Sequence, residues 1–217
     1  MNKGRAGAFG PAAYSPGGSA GLHDQDGLRR SHALVSLAKH FETGPAMQVL
    51  DLGGLNQQNL DFVTGYGNRL YAQEIVLGYE AFFTPEERLR GEAAAEKIEA
   101  FLRECLPFSN GALGAVLVWD RLQFLFPAAA AALVTRLKRL MAPGALLLAL
   151  FHPEHLSSTA PLACRAGPDG AIKATPKPPA RPAEPFNARA IEKLFSGFSG
   201  VKFYMTRDSL QEVLIRR

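Results

Sequence analysis

Cysteine is scarce in this chain: Cys105 and Cys164 are the only two among 217 residues. Two cysteines do not make a metal site of the usual kind, and their settings, an apolar helix face and a Pro/Gly-rich loop, give no reason to pair them. A reducing cytoplasm is therefore the expected compartment. Long apolar runs are missing too. The longest, 142–151, is about half of the roughly 20 residues that a membrane span needs, and it contains Pro143 and Gly144. Residues 1–21 are rich in Gly, Ala and Pro without an apolar centre, so no secretory signal is expected there. No basic stripe interleaved with aromatics is present either. Acids outnumber bases over 47–151 and bases outnumber acids over 187–217, which puts the net charge of +4 at the ends and makes a nucleic-acid partner an unfavoured reading.

What is present is a chain 47% hydrophobic and 20% charged, enough to bury one core. Residues 1–24 have almost no large apolar side chains to offset their ordering entropy and are expected to be a loose tail, leaving 25–217 as a single domain. From Gly27 the spacing of Leu28, Leu34, Val35, Leu37, Ala38 and Phe41 predicts a helix that stops at Gly44 and Pro45. The run 48–52 reads as a buried strand, followed by a helix carrying Leu60, Phe62 and Val63, and then by a strand over 69–75. Strand, helix and strand in about 30 residues make a βαβ unit.

An acidic helix is expected over 84–106, and no convincing strand is visible between Gly91 and Pro107. A strong buried strand follows at 113–119, a helix with Pro127 in its first turn over 127–141, and another apolar strand at 145–151. The segment 152–185 holds eight prolines and few large apolar residues after Leu162, and reads as a long mobile insertion. A short helix at 186–195 and two strands at 201–206 and 210–215, joined by a tight turn at 207–209, complete the pattern. Alternating helices and strands from 28 to 151 predict a parallel α/β sheet covered on both faces.

Four stretches and the terminal hairpin carry a resemblance: VLDLGG at 49–54, LYAQE at 70–74, LPFSNGALGAVLVWD at 106–120, and LMAPGALL at 140–147. In order and spacing they resemble the class I S-adenosylmethionine-dependent methyltransferase superfamily over about 28–217. The tail TRDSLQEVL at 206–214 is similar to tails of uncharacterised bacterial methyltransferase-like proteins. The resemblance implies a Rossmann-like, mostly parallel sheet that ends in an antiparallel C-terminal hairpin, with S-adenosylmethionine as cofactor and a small-molecule or protein methyl acceptor. It implies direct in-line transfer, in which the protein mainly aligns acceptor and methyl and removes a proton. It also implies an edge strand between those at 69–75 and 113–119, which this sequence does not display.

Within that frame Asp51, Gly53 and Gly54 correspond to the acid and glycines that turn beneath the methionine part of the cofactor, where a side chain at Gly53 would obstruct the approach. The family's loop alternates glycines, whereas this one reads DLGGLNQ, with Leu55 and Gln57 at glycine positions. The same departure excludes the dinucleotide fingerprint. Asn56 is a candidate polar contact. Glu74 ends the second strand, where an acid accepts hydrogen bonds from ribose hydroxyls. Trp119 is a candidate wall of the pocket or a core residue, and Asp120 is a candidate base or acceptor-positioning group. His152 is a further candidate base, while the HPEH run at 152–155 lacks the helical spacing of a zinc site, and no metal is expected. A second reading stays open: a catalytically inactive relative that uses the fold as an interaction or scaffold module in an assembly. Leu55 and Gln57 filling the crevice would favour it, and an open crevice above Gly53 would favour the enzyme.

Overall fold

The computed structural model describes residues 28–205 and 210–217. The tail expected over 1–24 and the turn expected at 207–209 lie outside the described residues. In chain order the elements are β1 (Leu28–Arg30), α1 (His32–Thr43), β2 (Gln48–Asp51), α2 (Gln57–Thr64), β3 (Arg69–Ala72), α3 (Ile75–Phe82), α4 (Pro85–Arg90) and α5 (Ala95–Cys105). They continue with β4 (Leu113–Trp119), a 3-10 turn (Arg121–Phe124), α6 (Pro127–Leu140), β5 (Met141–Phe151), β6 (Ser158–Thr159), β7 (Leu162–Ala166), β8 (Ala171–Pro176), β9 (Arg181–Pro182), α7 (Ala188–Leu194), β10 (Gly200–Met205) and β11 (Gln211–Arg216).

Six strands form the central sheet in the order β10, β11, β5, β4, β2, β3. The β2–β3, β2–β4 and β4–β5 pairs are parallel, whereas β11 runs antiparallel to both β5 and β10. The apolar runs behave as buried parallel strands should. From Ala115 onward β4 alternates, with Ala115, Leu117 and Trp119 packed on one face and Val116 and Val118 on the other. The register shifts around Gly114, which let Leu113 and Ala115 face opposite sides although they are two residues apart. On one face lie α3, α5, α6 and α7; on the other lie α1 and α2, joined by a small three-stranded sheet in the order β1, β8, β7.

That small sheet is the main difference from the sequence-based expectation. A loop was the reading for 152–185, and residues 28–30 were assigned to the first helix. Instead β7 and β8 form an antiparallel hairpin whose outer edge takes β1, with Leu28 opposite Lys173. The strand β7 alternates buried and half-buried residues, and Leu162, Cys164, Ala166 and Ile172 turn their small apolar set onto the central sheet. Prolines bound these strands instead of interrupting their pairing, so the proline count misleads.

No strand intervenes between β3 and β4 among the described residues, so β3 is the edge. The intervening chain is helical, and α3 was not foreseen. The expected 84–106 helix is two. Thr84 and Glu87 close a capping box on α4, and Gly91 at φ 72° ends it in the left-handed region. Tyr79, Phe82, Phe83, Phe101 and Phe126 then build an aromatic cluster with ring centroids 5.2 to 6.3 Å apart. This cluster buries the helical segment without an extra strand.

Candidate functional site

In an open parallel sheet, ligands bind outside the carboxyl ends of the strands where the strand order reverses. Here that point lies between β2 and β4, which are neighbours although β3 intervenes in sequence. It brings together the residues after Asp51 and those from Trp119 onward, so all the candidates from the two motifs meet at one edge.

Asp51 is fully buried, and both its oxygens are taken. Oδ1 accepts from the Gly53 backbone N–H at 2.8 Å and from the Trp119 indole Nε1–H at 2.7 Å, and Oδ2 accepts from the Asn59 amide at 2.6 Å. Burial pushes its carboxyl above the ordinary range despite those three donors. Asn59, also fully buried, accepts from Ala166 N–H at 2.7 Å and donates to the Cys164 carbonyl at 3.2 Å. Through Asn59, β7 is stitched down onto the loop that follows β2.

The close approach at Gly53 is real, but a side chain uses it. A Cβ built there would lie 2.6 Å from Trp119 Cδ1. Trp119 is 1% exposed and has φ 54°, a left-handed conformation that is strained for an aromatic residue. Gly54, at φ 84°, adopts a conformation that suits glycine, and its neighbourhood is the Glu74 side chain. Gly53 and Glu74 also form a backbone bridge, which draws the glycine loop against the end of β3.

Arg121 completes the filling. This arginine, 1% exposed, places Nη1 at 2.5 Å from Asp120 Oδ1 and at 3.1 Å from the Leu162 carbonyl. Its Nη2 donates to the Gly53 carbonyl at 3.2 Å, and its Nε stands 3.2 Å from Glu74 Oε1. The other Asp120 oxygen accepts from His152 Nε2 at 3.0 Å and from Leu162 N–H at 2.8 Å. Backbone N–H of His152 donates to the Gln123 side chain at 2.6 Å. Asn56, a candidate ligand contact, caps α2 by accepting from Asn59 N–H at 2.9 Å. Leu55 is 74% exposed and Gln57 bonds to Asp61 on the surface, so neither fills the crevice.

The structure thus gathers Asp51, Gly53, Gly54, Glu74, Trp119, Asp120 and His152 at one edge, with Asn56 beside them. Glu154 and His155 are exposed. Sequence reasoning missed Arg121, Asn59 and the strand β7. One signal was available for Arg121: beside Asp120 it is the only base in the mainly apolar stretch between Ala115 and Phe126, where a base needs a buried partner.

Space decides whether the residues fit a nucleoside cofactor. Beside Glu74, the gap bounded by Leu77, Pro161, Lys177, Pro178 and Arg181 measures about 40 Å³. Small-molecule sites need about 300–1,000 Å³. A cavity of about 510 Å³ does exist, lined by His40, Met47, Gln48, Arg69, Gly114 and Pro143 among others, but it sits at the opposite, amino edge of the sheet. S-adenosylmethionine does not fit the carboxyl edge of this structure: Glu74 is engaged by Arg121, Asp51 has no oxygen free of a donor, and Trp119 lies on Gly53.

The fold nonetheless defines a class: it is the Rossmann-like class I methyltransferase fold, without a third strand among the described residues. A Pyrococcus horikoshii protein superposes with a TM-score of 0.50 at 11% identity, covering 84% of this chain and 87% of its own. A SAM-dependent methyltransferase of Archaeoglobus fulgidus gives a TM-score of 0.49 at 11% identity over 85% of this chain and 91% of its own. The 1,6-didemethyltoxoflavin-N1-methyltransferase of Burkholderia thailandensis, solved with bound 1,6-didemethyltoxoflavin and S-adenosylhomocysteine, gives a TM-score of 0.46 at 14% identity over 86% of this chain and 78% of its own. Identities this low carry the fold alone. No protein-family model matches the chain, and no curated protein does. None of the described helices is long and apolar enough to cross a membrane.

Proposed function

We propose that this chain is a methyltransferase-fold protein that has given its ligand crevice over to internal packing and serves as a non-catalytic binding module for another protein. The observation that carries this reading is the guanidinium of Arg121, buried between Glu74 and Asp120 on the carbonyl of the glycine loop. A crevice that stabilises its own fold in this way has no room left for a nucleoside. Beside it, Leu55 and Leu77 remain 74% and 51% exposed, and a protein partner at this edge would cover them.

Calorimetric titration of the purified protein with S-adenosylhomocysteine tests the reading. The expected result is no saturable heat up to millimolar ligand. Saturable binding that weakens in Glu74→Ala would overturn it. It would establish the second reading, a SAM-dependent methyltransferase with a small-molecule or protein acceptor. That reading is favoured by the position of Asp51, Gly53 and Glu74 at the ends of β2 and β3. It requires β7 to lift from Asn59 and Arg121 to leave its carboxylates before any cofactor enters.

A further inference from the structure

We infer that the carboxyl edge of the central sheet is a guanidinium site whose resident ligand is the chain's own Arg121. The inference rests on the filled-crevice reading and adds what the crevice recognises. Every group around the guanidinium is an acceptor: the Glu74 and Asp120 carboxylates and the carbonyls of Gly53 and Leu162. They come from four separate segments, the end of β3, the end of β4, the glycine loop and the start of β7; Nη1 and Nη2 donate hydrogen bonds, while the buried Nε has no hydrogen-bond partner and meets Glu74 Oε1 as an ion pair at 3.2 Å. Such a lining suits a planar cation with N–H groups pointing outward along its edge. It is wrong for an adenine ring, whose own acceptor nitrogens would face carboxylates and carbonyls.

A compact ammonium at the same place would also fail, because three donors on a point charge cannot reach four acceptors spread around a plane. Asp120 is fully buried, so losing the cation strands its Oδ1 as a buried charge without a donor. Glu74 is 20% exposed in its side chain, which leaves the cage a route to solvent on that side. Removing the arginine side chain should therefore leave a hollow with a defined appetite: a small guanidinium compound taken from solution.

The experiment is thermal unfolding of Arg121→Ala titrated with methylguanidinium chloride at low millimolar concentration, against sodium chloride of equal ionic strength. Wild type and the core variant Leu133→Ala are the comparators. Arg121→Ala is expected to melt on the order of 10 °C below wild type. Methylguanidinium should raise its melting temperature saturably and should not raise that of either comparator. A rise no larger than that of Leu133→Ala overturns the inference. So does stabilisation of Arg121→Ala by S-adenosylhomocysteine but not by methylguanidinium, which would make the crevice a nucleoside site that Arg121 merely obstructs. Should Arg121→Ala fail to fold, Arg121→Lys decides: it is expected to melt well below wild type, and an unchanged melting temperature overturns the inference. Binding of S-adenosylhomocysteine by wild type sinks the filled-crevice reading itself, whereas a failed rescue sinks only the guanidinium site.

Discussion

Adding one carbon at Gly53 separates a glycine kept for a cofactor from one kept for a side chain. In Gly53→Ala the new methyl would fall 2.6 Å from Trp119 Cδ1, 3.0 Å from Nε1 and 3.1 Å from Asp51 Oδ1. The indole is fully enclosed, so it cannot swing into solvent to make room. Overpacking of this kind costs about 1–3 kcal/mol. If the ring moves enough to break the bond from Nε1 to the buried Asp51 carboxylate, a charged hydrogen bond worth about 1.5–3 kcal/mol goes with it. The sum is about 2.5–6 kcal/mol, and at roughly 2–4 °C per kcal/mol for a chain of this length the melting temperature should fall by about 5–24 °C. Gly200→Ala is the control, since a Cβ there meets nothing within 4 Å, and it should stay within about 0.5 kcal/mol of wild type. Urea unfolding of both variants gives the comparison directly. Equal stability of the two would refute the packing argument and return Gly53 to the role of a ligand-approach glycine, whose substitution damages binding and leaves the fold intact.

Two further perturbations act on the parts that hold the crevice shut. Asn59→Ala removes a fully buried amide that ties Asp51 to Cys164 and Ala166; it should cost about 3 kcal/mol and speed limited proteolysis between 165 and 177, and an unchanged cleavage rate would show that β7 is held by other means. Arg181→Ala removes a two-pronged pair with Glu80 at 2.6 and 3.1 Å, whose guanidinium holds the Glu80 carboxyl below its ordinary range. A depressed folded-state pKa adds stability above the unfolded value and loses it as pH falls through the folded value. The variant should therefore be about 0.5–1 kcal/mol less stable at neutral pH and should converge on wild type as the pH falls through the lowered Glu80 value, as melting curves across pH will show.

The sheet was legible because its strands are continuous apolar runs: residues 113–119 and 145–151 can satisfy such a pattern only between two layers of helices. The gap where a third strand belongs was legible too, since the capped and periodic helical signals of 84–105 leave no room for one. The hairpin β7 and β8 was not. Its apolar residues are few and mostly small, prolines flank its strands, and Asn59 on a distant helix hydrogen-bonds to it, which no local pattern reveals. At the site, the positions of Asp51, Glu74 and Asp120 at strand ends followed from motif order. Their partners did not, because whether a carboxylate faces solvent, ligand or a buried arginine depends on contacts such as Arg121 to Leu162, 41 residues apart. Leu55 and Gln57 illustrate the same limit from the other side: the loop departs from the family's glycines exactly there, yet both side chains point away and the crevice is filled by residues beyond β4.

Trp119 is the one tryptophan of the chain, and that makes the crevice its own reporter. A left-handed backbone at an aromatic residue costs about 1–3 kcal/mol and persists only where the surroundings overdetermine it. Here they do: the indole donates to a buried carboxylate at 2.7 Å and lies on a glycine that leaves no gap. Trp119→Phe keeps most of the ring and removes only the donor. If Trp119 were simply a core residue, that near-isosteric change would cost under about 1.5 kcal/mol. Loss of a donor to buried Asp51 predicts about 1.5–3 kcal/mol instead. In the wild type, any molecule entering between the ends of β2 and β4 has to move this ring, so the tryptophan emission should stay fixed when S-adenosylhomocysteine is added and shift to longer wavelength only on unfolding. A saturable change in emission with folded protein would mean that the ring yields to ligand, and the strain at Trp119 would then belong to a gate and not to a plug.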